Sequence, residues 1–171
     1  MPDETIRIVS SDIPGESPQI EPDVPLKSER GVDYTKLRDL LATRKWQEAN
    51  RETTIKMREA AGGEYLDRLP CEDLRTIDQL WVKYSNGLFG FSVQKRIYES
   101  RWRHHLDKER ELFEEFGCII GWVWWHPSWV VTSEIEDGTP PEHILGGHLP
   151  TYYIEEYSFK DIRQRLETCR V

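Results

Sequence analysis

Apolar residues recur at three- and four-residue spacing along most of the chain, most clearly in Pro70–Ser100 (PCEDLRTIDQLWVKYSNGLFGFSVQKRIYES). Leu74, Ile77, Leu80, Trp81 and Tyr84 fall on one side of a helical wheel, which predicts an amphipathic helix with that side buried. Asn86–Gly87 supplies a stop signal and Ser92 a cap for a second helix, with Leu88, Phe89 and Phe91 crowded on the tight turn between them. Such side chains either plug the core between the two helices or floor an apolar groove. Upstream, Tyr34, Leu37, Leu40 and Leu41 share one face of a helix with Asp33 as N-cap. Trp46, Ala49, Thr53, Met57 and Ala60 share the face of another, ended by Gly62–Gly63. The small Ala49 and Ala60 predict close approach in a single helical hairpin, and Tyr65, Leu66 and Leu69 fold the next loop onto the body.

Downstream, Leu106, Leu112, Phe113 and Phe116 predict a further helix stopped at Gly117. Cys118–Val131 (CIIGWVWWHPSWVV) carries four of the seven tryptophans within eight residues. Pro127 and the β-branched residues oppose a helix there, so a turn or short hairpin is expected. Glu134–Gly147 is Gly- and Pro-rich and reads as a mobile loop, and Ser158 opens a last helix with Phe159, Ile162, Leu166 and Cys169 on its inner face. The expected fold class is all-α: one compact helical domain over residues 31–171 with a cupped apolar groove. Residues 1–30, which hold five of the ten prolines, read as a disordered tail.

With 171 residues and 37% hydrophobic content the chain can fill one core. A net charge of −8 and a pI near 5.2 oppose nonspecific nucleic-acid binding. No apolar run approaches the roughly 20 residues that span a bilayer, so no stable membrane insertion is expected. Cys71, Cys118 and Cys169 are odd in number, far apart and without metal spacing, and read as reduced thiols. The acidic, Arg-poor beginning is unlike an organelle transit peptide, which points to a bacterial cytoplasm, and a monomer is expected.

Catalytic machinery is not visible: there is no phosphate-cradling glycine loop, nucleophile elbow or isolated carboxylate pair. The pairs His104/His105 and His143/His148 lack the one-face spacing of helical metal ligands. His126, beside Trp125, reads either as an axial ligand to a bound macrocycle or as a solvated turn histidine. Cys118 reads either as a thioether site for a bilin or as a small buried hydrophobe.

The run LPCEDLRTIDQLWVKYSNGLFGFSVQKRIYES, with Gly121–Trp122 and the later Gly147–Pro150 (GHLP), resembles the genomes-uncoupled-four family over about Asp33–Pro150. The resemblance implies an all-helical fold shaped like a cupped hand, binding of protoporphyrin and magnesium protoporphyrin, and stimulation of magnesium chelatase. A tetrapyrrole is a broad apolar disc with two carboxylates at one edge, so its host needs an apolar cleft with cations at the mouth. The expected walls are Leu88, Phe89, Phe91 and Val93 on one side and Trp122, Trp124, Trp125 and Trp129 on the other, with Leu66 in the rim loop. Lys95, Arg96, Arg101 and Arg103, the locally basic run, are expected to meet the propionates. The expected ligand is protoporphyrin, magnesium protoporphyrin or a bilin. The expected role is that of a non-catalytic regulator or carrier in chlorophyll biosynthesis, acting with the large porphyrin-binding subunit of magnesium chelatase. Gly146 stands where family members usually carry Lys, and the preceding loop holds extra Trp and Pro. The alternative is a helical protein-interaction or signalling module that grips a protein partner through the Trp-rich loop.

Overall fold

The structure, a computed structural model, describes residues 24–63, 66–102, 120, 122–125, 128–131, 135–144, 146–151 and 156–171, with backbone alone for 101–102, 122–125, 128–131 and 156–161. Five α-helices lie among the described residues: α1 (Thr35–Ala42), α2 (Trp46–Ala61), α3 (Cys71–Tyr84), α4 (Phe91–Trp102) and α5 (Glu156–Cys169). The described residues are helical apart from loops, turns and one antiparallel pair, β1 (Trp122–Trp125) and β2 (Ser128–Val131), in which Trp124 stands opposite Trp129. The short hairpin expected in the Trp-rich stretch is present. The helix expected over Leu106–Phe116 and its stop at Gly117 lie outside the described residues.

The apolar periodicity builds the core as read. Leu37, Leu40 and Leu41 of α1 meet Trp46, Ala49, Met57 and Ala60 of α2 and Leu74, Ile77, Leu80 and Trp81 of α3, all buried. The N-cap of α1 is Tyr34 and not Asp33 as expected; Asp33, one residue earlier, accepts the Thr35 N–H at 2.9 Å through its carboxylate, and Gly62 ends α2. At the centre, Trp46 stacks on Trp81 with ring centroids 6.2 Å apart, and Phe89 meets Trp46 edge-on at 5.4 Å. Both indole N–H groups find acceptors, Thr139 O at 2.7 Å from Trp46 and Thr53 Oγ1 at 3.0 Å from Trp81, so neither ring leaves a polar atom stranded.

Three further expectations are corrected. Val24–Arg30, assigned from sequence to the tail, are fastened to α3: the Asp73 carboxylate accepts from Ser28 Oγ, the Glu29 N–H at 3.0 Å and the Tyr34 hydroxyl at 2.8 Å. A buried carboxylate with three donors outweighs the local Pro-rich composition. The loop after β2 is pinned and not free to swing, because Gln47 donates to Ile135 O and Gly138 N–H to Arg44 O, with Pro141 buried. Cys71 and Cys169 are not reduced thiols: they form a disulfide across a sequence separation of 98, because α5 packs on α3 and brings their Cα atoms to 5.2 Å. Cys118 lies outside the described residues.

Candidate functional site

The turn between α3 and α4 is where two distant parts of the chain are clasped together. Ser85, Asn86 and Gly87 end α3, and Ser85 Oγ accepts the Phe89 N–H at 2.8 Å. Gly90 then passes so close to α3 that a Cβ there would lie 2.8 Å from Val82 and 2.9 Å from the Asp78 carboxylate. That carboxylate accepts the Ser92 N–H at 2.8 Å and so caps α4 from the neighbouring helix, a task the sequence reading gave to Ser92 itself. Burial pushes the Asp78 carboxyl above its ordinary range, against the opposing pull of the Ser92 and Phe91 N–H groups and the Arg96 charge.

The GHLP segment docks on this turn. Gly147 N–H donates to Leu88 O at 2.7 Å and Gly90 N–H donates to Leu149 O at 3.0 Å, a reciprocal pair between the two segments. Gln94, buried on α4, donates through Nε2 to both Gly147 O and Pro150 O at 2.9 Å. Gly147 has φ +78°, and a Cβ there would meet Ile97 Cδ1 at 2.7 Å, so this approach excludes a side chain. His148, 2% exposed, donates from Nδ1 to Ile120 O at 2.7 Å. Burial holds its imidazole below the ordinary histidine range, which keeps it neutral. The β1–β2 hairpin is therefore rooted at both ends: its entry at Ile120 on the clasp, and its exit at Ile135 on α2 through Gln47.

Around this clasp the expected site residues take different positions. Leu66, Phe89, Phe91 and Val93 are buried, and Leu88 is half-buried. Arg96 is exposed on α4, whereas Lys95 donates to Val171 O at 2.9 Å and is committed to the end of α5. Arg101 lies in the last turn of α4 with its backbone described. Trp122, Trp124, Trp125 and Trp129 lie on the paired strands, where only backbone positions are described. Arg103, His104, His105 and His126 lie outside the described residues. A cleft of about 10 Å³, room for little more than one water, lies between α4 and α5, lined by Phe91, Lys95, Tyr98, Ile162 and Leu166. That is far below the roughly 300–1,000 Å³ of drug-sized ligand sites, so it does not accommodate a macrocycle. Sequence reasoning missed Asp78, Gln94 and Gln47, because a buried or half-buried polar residue carries no periodic signal.

The family model described as GUN4-like matches residues 27–152. The "Uncharacterized protein ycf53" of Porphyra purpurea is 38% identical over 109 residues, which cover 58% of this chain and 42% of that protein. The "Ycf53-like protein" of Synechocystis is 34% identical over 110 residues, covering 58% of this chain and 46% of that protein. The chain thus spans less than half the length of these two relatives. The "Tetrapyrrole-binding protein, chloroplastic" of Arabidopsis thaliana is 38% identical over 52 residues, 30% of this chain and 17% of that protein. Among solved structures, GUN4 from Chlamydomonas reinhardtii superposes with a TM-score of 0.65 at 27% identity, covering 83% of this chain and 93% of that one.

Proposed function

The chain belongs to the GUN4-like family, and from that premise we propose that it is a non-catalytic tetrapyrrole-binding protein that serves as a regulator or carrier. One observation carries the reading: the family match over residues 27–152 takes in the whole clasp and the Trp-bearing hairpin rooted on it. The relative named for tetrapyrrole binding supports it. The ligand is protoporphyrin, magnesium protoporphyrin or a bilin. Trp122, Trp124, Trp125, Trp129 and Leu88 supply its apolar contacts. Phe89, Phe91, Val93 and Leu66 are the buried floor that holds those contacts in place, and Arg96, Arg101 and Arg103 receive the propionates. Action with the large porphyrin-binding subunit of magnesium chelatase, as a cytoplasmic monomer, completes the proposal. No described helix is long and apolar enough to cross a membrane.

Titration of the full chain with each of the three ligands, followed by tryptophan fluorescence, tests this directly. Micromolar quenching by at least one is expected. Removing a large aromatic from a pocket removes about 2–4 kcal/mol, so Trp124→Ala weakens binding roughly 30- to 1,000-fold. Arg101→Ala costs about 1 kcal/mol or less, and that effect alone shrinks as salt rises. No quenching by any of the three would transfer the hairpin to the recognition of a partner protein.

A further inference from the structure

The disulfide joins the family domain to a helix that lies beyond the family match, since Cys71 opens α3 and Cys169 closes α5. Around it, among the described residues, three hydrogen bonds from cationic side chains help fasten the end of α5. Arg75 donates to Cys169 O at 2.6 Å, Arg165 to Leu69 O, and Lys95 to Val171 O at 2.9 Å. Buried apolar contact comes from Ile162 and Leu166, with Cys169 itself 1% exposed. Cys71 differs from its partner: it is half-buried, sits at the first position of α3, and has the Arg165 guanidinium 3.6 Å from its sulfur. A helix N-terminus and an arginine both favour the thiolate form, so these are the surroundings of an exchanging sulfur and not of an inert one.

We propose that Cys71–Cys169 is a thiol–disulfide exchange site, and that its reduction by a dithiol releases α5 from α3 and α4. The dithiol's thiolate attacks the sulfur of Cys71, the more exposed of the two residues, the Cys71–Cys169 bond breaks, and Cys169 leaves and takes up a proton. The dithiol's second sulfur then displaces Cys71 from the mixed disulfide. The reductant ends as a disulfide, and the chain gains two electrons and two protons as two thiols. The reverse reaction starts from the Cys71 thiolate. In the closed state α5 covers Phe91 and Tyr98 on α4 and engages Lys95. Reduction uncovers the first two and frees the third. In a cytoplasm, the compartment expected from the sequence, disulfides are chiefly of this transient, redox-responsive kind. The proposal stands independently of tetrapyrrole binding.

The test is native-state hydrogen exchange on the full chain, with iodoacetamide trapping and peptide mapping, before and after dithiothreitol in non-denaturing buffer. In the oxidised chain both cysteines are expected to resist alkylation and the amides of residues 156–171 to be protected. After dithiothreitol both are alkylated, and exchange across 156–171 accelerates about tenfold or more while α1 and α2 stay unchanged. The Cys71→Ser/Cys169→Ser chain exchanges like the reduced one and ignores dithiothreitol. The wild-type comparison needs no variant to fold. Any of three results overturns the idea: no bond forms even with oxidised glutathione, the bond resists dithiothreitol in the native state, or reduction leaves the α5 amides as protected as before.

Discussion

The packing among α1, α2 and α3 and the clasp between Leu88–Gln94 and Gly147–Pro150 are both buried, yet different forces hold them. In the first, Leu37, Leu41, Met57, Leu74, Ile77 and Trp81 hide one another from water, a non-directional attraction that tolerates some rearrangement. In the second, Gly90, Gly147 and His148 each meet one particular carbonyl and Gln94 meets two, and a wrong angle forfeits the interaction. The apolar packing makes a platform. The polar clasp decides where on that platform the hairpin is rooted, which is the part of the problem a binding loop needs solved.

The largest expected effect comes from the platform. Trp46→Ala removes a fully buried ring, its contacts with Trp81 and Phe89 and its hydrogen bond to Thr139 O, and should cost about 3–5 kcal/mol in urea unfolding. A loss below about 1 kcal/mol would mean that the core does not turn on this residue. A smaller but more local effect is expected from Gln94→Leu, which strands Gly147 O and Pro150 O and should cost about 1–3 kcal/mol. The amides of Gly90 and Gly147 should exchange faster while those of α1 and α2 keep their protection. Uniform loosening of the whole chain would erase the distinction between platform and clasp.

The smallest effect is a dependence on pH. Burial lowers the His148 pKa below 6.5, so as pH falls the unfolded chain binds a proton before the folded chain does. The stability it contributes is therefore full above pH 6.5 and is lost as pH falls towards and through the folded pKa. Asp78 has the opposite sense: its raised pKa makes its contribution full below pH 3.8 and lost as pH rises through the folded value. Melting temperature should decline below about pH 6.5, and His148→Gln, compared in wild-type and Asp78→Asn backgrounds, should flatten that decline. An unchanged slope would remove His148 from the clasp's pH response.

The platform was legible in the sequence because helix period and burial are the same fact seen twice. Leu37, Trp46, Ile77 and Trp81 announce their face by spacing alone, and Asp33, Gly62 and Asn86–Gly87 mark the ends where backbone groups change partners. The clasp was hidden because its pairs are far apart in sequence and polar. Nothing about Gln94 in isolation says that its amide bridges two carbonyls of the GHLP segment. The disulfide was misread for a related reason: distance along the chain says little once α5 folds back on α3. Leu88, Phe89 and Phe91 stood between two readings, and burial distinguishes them. Phe89 fills the Trp46–Trp81 junction, while half-buried Leu88 stays at the clasp's edge.

Asn50 and Thr151 exchange two hydrogen bonds, from Asn50 Nδ2 to Thr151 Oγ1 and from Thr151 N–H to Asn50 Oδ1, beside the Gln47 contact that holds Ile135. Among the described residues, the anchors of the region between Ile120 and Thr151 are made by Arg44, by residues of α2, α4 and the turn, and by His148, none of which belongs to the stretch between Ile120 and Ile135. The described anchors of that stretch therefore lie at its two ends, Ile120 and Ile135. A graft that replaces it is expected to leave the sockets that receive it as they are. A helical body of one design can in this way carry loops of many kinds.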